Sequence, residues 1–529
     1  MGRASRSMCG ALLAVACSGG GADKEAPGGT DGSDGTASGD GDVVEICGGD
    51  IARDGDGTWY GSIQAAVDAT PEGGTVTVCD GTHTASVVLP HSMTLRAEGA
   101  AGIAGLGAGP VITVESGAVV LVGLTLTGGA GAPTESWLGG LPLRAGAGIF
   151  AEAATALTVE DCVLRDMTAD WGVGITGPLG GTLTVVDSTF ENLDGLAGPA
   201  AIAHRGSDAR VSGSDFIFNG AAAPHAVVGT TVDLQADAVT VEASTFVGNG
   251  QGSAFAESAF DRVGGGLRVR ATAATLRDLS FDDNDASYGG GAHIEAQRLV
   301  GEGLAAGFNL AGRAGGGLYL VTADGQPADW RLVGVELASN DAPFGGGLAA
   351  SLEGALVLSD LEATGNEGAA LSLSGRSGGA SVSVDQALLT DNAGTGFGGG
   401  GIHAVDLDAL SVHQSRLSSN QGLAGGAVSA SNVADLRLTS TVLADNVAST
   451  FGAGLYAADS GVTLEDASLL RNTGGTGTGA YLTGATLEAT STDWGAGADD
   501  NGEPELTTPA GDTHGVGPAV SCDAAGVCL

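Results

Sequence analysis

The feature that most constrains this chain is a repeat built on asparagine. An apolar residue is followed three positions later by Asn at Phe216 and Asn219, Phe246 and Asn249, Phe281 and Asn284, Leu337 and Asn340, Leu389 and Asn392, Leu417 and Asn420, Leu443 and Asn446, and Leu469 and Asn472. With Asn192, Asn309 and Asn366 included, the spacings run 27, 30, 35, 25, 31, 26, 26, 28, 26 and 26. About eight to seventeen residues after most of these asparagines comes a glycine cluster ending in Ala or an aliphatic residue. It reads GGGL at Gly264, GGGA at Gly289, GGGL at Gly315 and Gly345, GGGGI at Gly398, GGAV at Gly425 and GAGL at Gly452. A short alternating strand such as LTVVDSTF or VTLEDASLL follows each cluster.

A period in this range with strand patterns and no helical ones specifies a solenoid. The fold expected is all-β, a parallel β-helix of about fourteen to seventeen coils stacked at about 4.8 Å. Glycine supplies the turns that need positive φ or close backbone approach. The asparagines Asn219, Asn249, Asn284, Asn340, Asn366, Asn392, Asn420, Asn446 and Asn472 are expected to form a structural ladder, each amide bonding the turn of the next coil.

Composition agrees. Of 529 residues 95 are Gly, without the three-residue period of collagen. The chain is 43% hydrophobic and 16% charged, so disorder is excluded and a large core is available. With 62 acidic against 20 basic residues, the net charge of −42 lacks the basic footprint of a nucleic-acid or anionic-membrane binder.

Both ends depart from the repeat. Residues 1–17 have Arg3 and Arg6, a short apolar run, then Ala14–Ala16 leading into Cys17. This is the layout of a secretory signal and resembles a bacterial lipobox, which would make Cys17 the lipidated residue. Residues 18–43 form an acidic linker too poor in apolar residues to fold. The β-helix is placed at 44–500, with an N-terminal cap at about 44–80 that includes a helical segment, Ser62 to Ala69, burying Ile63, Ala66 and Val67. A capping tail is placed at 501–529, with Trp494 over the last coil. In an exported protein Cys47, Cys79, Cys522 and Cys528 are candidates for disulfides. Cys162 reads as a buried small hydrophobe.

The opening SIQAAVDATPEGGTVTVCDGTHT resembles the entry segment of right-handed, pectate-lyase-like β-helices. The FxxN and GGA[ILV]-type pairs resemble the repeats of chlamydial polymorphic outer-membrane proteins. The ending DWGAGADDN with CDAAGVC resembles the tails of predicted myxobacterial-type lipoproteins. These resemblances imply a right-handed β-helix at the outer membrane or cell surface. They carry over no catalytic motif.

Two columns of side chains carry candidate chemistry. Asp161, Asp187, Asp278, Asp360 and Asp466 each stand three residues before the apolar repeat position. They would either bind calcium or form an acid/base pair, or simply be a solvated column interrupted by Gln386, Gln414 and Ser440. The second column is an outward ligand stripe after the glycine clusters: Arg268, His293, Tyr319, Ala349, Ser372, His403, Ser429, Tyr456 and Tyr481. Insertions at 129–146 and 250–263 are further places for a site, and Trp137 is either a sugar platform or part of the coil wall. Among Arg144, Arg165 and Arg268, none is paired with a carboxylate by sequence. The expected function is a non-catalytic, lipid-anchored surface protein for adhesion or glycan contact, acting as a monomer without a cofactor. The alternatives are a carbohydrate-active lyase or hydrolase and a purely structural envelope protein.

Overall fold

The computed structural model describes residues 51–137, 140, 142–220, 230–250, 263–323, 326–376, 378–395, 398–495, 500–501 and the backbone of 506–507. Cys17, Cys47, Cys522 and Cys528, the signal and linker segments, residues 251–262 and nearly all of the tail lie outside the described residues.

The chain winds into a parallel β-solenoid of about 14 turns. Its alternating strands dictate this. In Thr182–Val186, Leu183 and Val185 are buried while Thr182, Thr184 and Val186 face outward. Each coil repeats the pattern in register, so Leu157 lies beside Leu183 and Leu183 beside Ala209. Three faces result, and the strands Leu267–Asp282 and Ala292–Gly307 each run through all three. Hydrogen bonds join 41 strands into one continuous sheet. One core cluster extends from Ala52 to Leu487, and a smaller one gathers Trp137, Ala145, Trp171 and Ala203.

The beginning is different. Ala52–Arg53 pairs antiparallel with Trp59–Tyr60 and with Thr75–Val78. Between them lies the helix Ile63–Ala69, whose N-cap Ser62 accepts a hydrogen bond from the Ala65 amide at 3.1 Å. Ile63, Ala66 and Val67 join the core.

The corners explain much of the sequence. After the second face, one column of residues has left-handed backbone: Asp161, Asp187, Gly213, Ala243, Asp278, Gly303, Gly334, Asp360, Gln386, Gln414, Ser440 and Asp466. The acidic column is therefore a turn position, where Asp and Gly are tolerated best, and its five aspartates are exposed. The residue after it turns inward. Ser188, Ser214 and Ser244 stack there, each hydroxyl accepting the amide of the residue one coil before, at 3.1 to 3.2 Å.

A second left-handed column, including Asn192, Phe218, Asp283, Ser339 and Asp445, precedes the asparagine ladder. Eleven asparagines stack in that ladder: Asn219, Asn249, Asn284, Asn309, Asn340, Asn366, Asn392, Asn420, Asn446, Asn472 and Asn501. Each Oδ1 after the first accepts both the amide N–H and an Nδ2–H of the preceding asparagine; for Asn340 these are 3.1 and 2.9 Å from Asn309. The other Nδ2–H of Asn340 goes to the Ala306 carbonyl at 2.8 Å. Asn192 stands outside the column: it is exposed in the left-handed corner, and Leu193 takes the ladder position, its amide donating to Asn219 Oδ1. Beside the ladder, Phe190, Phe216, Phe246 and Phe281 stack with centroids 4.8 to 5.0 Å apart, adding about 0.5–1.5 kcal/mol per pair beyond burial.

The glycine clusters serve a third corner. Gly315 has φ +66°, and a Cβ there would meet the Leu318 carbonyl oxygen at 2.4 Å. On Gly316 a Cβ would lie 2.4 Å from the Gly346 oxygen of the next coil. Glycine is required once for its conformation and once for proximity.

Candidate functional site

The glycine corner delivers the chain into the first face, where Leu318 and Leu320 of Leu318–Val321 point inward and Tyr319 outward. Successive register pairs place Arg268, His293, Tyr319, Ala349, Ser372, His403, Ser429, Tyr456 and Tyr481 in one outward column. Eight inter-coil steps make it about 38 Å long. Asp233 extends it below Arg268.

The column is more sheltered than outward-pointing residues should be. His293 is 7%, Ala349 4% and Ser429 1% exposed. The cause is a wall that the sequence pattern did not reveal. Tyr288, Phe344 and Phe451 each stand immediately before a glycine cluster, and they rise at the corner beside the column. Tyr288 contacts Tyr319 with centroids 5.2 Å apart, and Phe451 contacts Tyr481 at 4.5 Å. The result is a groove with an aromatic rim. One cleft of about 330 Å³ lies among Tyr288, His293, Glu295 and Tyr319. Another, of about 310 Å³, lies among Tyr319, Phe344, Ser372 and His403. At the far end Tyr456 and Tyr481 stack nearly parallel, 8° apart, with centroids at 6.0 Å.

The groove histidines carry no charge. Burial, followed by the Arg268 charge, holds the His293 imidazole at about 3, and burial lowers His403 as well. Both rings are neutral at neutral pH. Burial, then Tyr481, raises the Tyr456 phenol. Arg268 has a carboxylate partner after all: its Nη1 lies 3.4 Å from Asp233 Oδ2, from a coil 35 residues earlier. Sequence spacing missed this pair because the loop between the two coils varies in length.

The other candidates fall elsewhere. Trp137 belongs to the wall: it is 2% exposed, its indole N–H donates to Glu152 at 2.6 Å, and Arg205 sits 5.0 Å over its ring. It lies between Ala132–Thr134 and Leu143–Ala145, which pair antiparallel across the first insertion. Arg144 donates to the carbonyls of Ala108, Ala130 and Gly131. Arg165 is exposed, 4.0 Å from Asp166. Trp494 packs, partly buried, against the core. Cys79 is disulfide-bonded. Cys162 is a buried free thiol that burial pushes up to about 11. Among the described residues no three His, Cys, Asp or Glu side chains are grouped to hold a metal ion, and no helix is long and apolar enough to cross a membrane.

Comparison with protein-family models, curated proteins and solved structures finds no match to this chain.

Proposed function

We propose that this protein is a non-catalytic binding solenoid whose groove holds an extended glycan. The observation that carries the reading is the aromatic-rimmed outward column running in register from Arg268 to Tyr481. Rigid strands hold flat amphipathic rings at two places along it, Tyr319 at one and Tyr456 with Tyr481 at the other, with Ala349, Ser372, His403 and Ser429 between them. Tyrosine offers a large stacking surface at low entropic cost, and concave, mostly apolar sites with few polar groups suit ligand binding.

In the same proposal the chain is exported, lipidated at Cys17 and displayed on the cell surface as a monomer, serving adhesion. The likeness of its opening segment to pectate-lyase-like β-helices, and of its repeats to chlamydial polymorphic outer-membrane proteins, supports that setting. A second reading, carbohydrate cleavage, draws on Asp233 paired with Arg268 beside His293.

The test is a glycan array probed with the purified full chain and with a Tyr456→Ala/Tyr481→Ala double variant. Retention of glycans by the full chain and loss of signal in the variant supports the proposal. No retention, or identical profiles, overturns it. Release of new sugar ends from the retained glycans would put cleavage first.

A further inference from the structure

We infer that the corner between the third face and the asparagine ladder, from Phe218 to Phe308, is a docking surface for an extended, basic segment of a partner protein. This inference uses neither the groove nor the glycan-binding reading.

In the left-handed column before the ladder, Phe218 has φ +52° and Phe308 has φ +55°. They are 55% and 66% exposed. The column members around them, Asn192, Gly248, Asp283 and Ser339, are small or polar. A bulky side chain in this conformation is an outlier, because its Cβ crowds the following carbonyl oxygen. Burial does not offset that strain, since each ring residue is more than half exposed, whereas Phe216 and Phe246 of the adjoining strands are 0% exposed. Asp, Asn, Gly or Ser would serve the turn better. Two strained and exposed aromatics in one column therefore point to a contact made outside the chain.

The register fixes their spacing. It carries Ile217 to Val247, Asp282 and Gly307, so the residues that follow, Phe218, Gly248, Asp283 and Phe308, stand on successive coils. Three inter-coil steps put the two phenylalanines about 14 Å apart. An extended chain advances about 3.4 Å per residue and turns alternate side chains to one face. Side chains at i and i+4 then reach the two rings, and the one at i+2 falls between them.

Charge selects the partner. Asp282 and Asp283 lie on the coil between the rings. Burial, followed by the charge of Asp283, raises the Asp282 carboxyl, and no basic group acts on it. From Asp215 to Ser339 the outward residues of this face also include Asp215 and Glu336, and none is basic. Aromatic faces and carboxylates both attract cations. Basic side chains at i, i+2 and i+4 of an extended segment would meet a ring, the carboxylate pair and the second ring. A second copy of this chain, carrying −42 itself, is repelled.

The experiment is fluorescence anisotropy of the labelled peptide Ser-Arg-Ser-Arg-Ser-Arg-Ser, and of its counterpart with Glu for Arg, titrated with the full chain at about 150 mM salt. Two double variants are measured in parallel: Phe218→Asn/Phe308→Asn, which leaves the net charge unchanged, and Asp282→Asn/Asp283→Asn, which leaves the rings. The expected result is binding of the Arg peptide alone and a loss of about tenfold or more in affinity in either variant. The phenylalanine variant is expected to melt at or above the midpoint of the parent. No binding of the Arg peptide overturns the inference, and so does equal binding by all three proteins, which would reduce it to attraction by the whole acidic chain. A phenylalanine variant that melts well below the parent makes the rings part of the fold and overturns it as well. Loss of an array glycan in that variant would make the corner a sugar platform instead of a protein dock. The Tyr456→Ala/Tyr481→Ala result tests the groove separately and leaves this inference untouched.

Discussion

Tyr319 and Asn340 stand on one coil, one facing the groove and the other the core. Both belong to columns that repeat from coil to coil in register. In the inner column the residue type never changes from Asn219 to Asn501, and each side-chain amide from Asn219 to Asn472 is bonded above, below and to a carbonyl. In the outer column the residue changes at nearly every step, from Asp233 through Arg268, His293 and Tyr319 to Ala349, and polar atoms remain unmatched. Constancy with saturation marks a group that holds the fold. Variation on a fixed register, with hydrogen-bonding capacity left over, marks a surface shaped for something else.

The sharpest way to break this comparison is at the ladder. Asn340→Ala deprives the Asn309 amide and Nδ2 of their acceptor and strips the Ala306 carbonyl of its donor. We expect a loss of about 3 kcal/mol or more, read as a lower urea midpoint. A change below about 0.5 kcal/mol would mean that the ladder is ornamental.

Acid probes buried histidines on the same coils. His204 is 0% exposed, and burial holds it at about 4 against an ordinary 6.5. Below 6.5 the unfolded chain takes up a proton that the folded chain refuses. Stability is therefore full above pH 6.5 and falls as pH drops towards 4, by on the order of 3 kcal/mol for this group. His293 and His403 act in the same direction. Thermal midpoints measured from pH 7.5 to 4.5 should fall, and His204→Gln should flatten the profile. A flat profile in the unmodified chain contradicts this.

Gly316→Ala places a methyl group 2.4 Å from the Gly346 oxygen, and about 1–3 kcal/mol of destabilisation is expected from the overlap. Calorimetry that finds the variant as stable as the parent would show that the coils can part cheaply there.

The smallest expected effect on stability comes from the groove. Tyr319→Ala should shift the urea midpoint by less than about 1 kcal/mol, although it removes a ring of the binding surface. A loss as large as that of Asn340→Ala would make the stripe a structural element.

The fold was legible because its demands are met by single residue types. Only Asn fills the ladder while bonding in three directions, and glycine alone fits the tight corner at Gly315 and Gly316, so both recur in plain sight. The same economy misleads at Asn192, since Asn is also favoured in the left-handed corner next to the ladder. Asn501 was obscured because the coil before it leaves the repeat. The groove was half legible. Its floor follows from strand alternation, which places Tyr319, His403, Tyr456 and Tyr481 outward. Its wall depends on how far corner residues such as Phe344 and Phe451 rise beside the strand, and its pairing of Asp233 with Arg268 depends on which coils become neighbours. Neither is encoded in local spacing.

The chain has five tyrosines, and four of them, Tyr288, Tyr319, Tyr456 and Tyr481, lie in or beside the groove, while Tyr60 is on the opening strand Trp59–Tyr60. The most direct test is therefore the ¹⁹F spectrum of the full chain labelled with 3-fluorotyrosine and titrated with a glycan that the array shows to be retained. The account predicts that groove signals move while the Tyr60 signal stays fixed. A spectrum in which no groove signal responds, or in which Tyr60 moves alone, contradicts it.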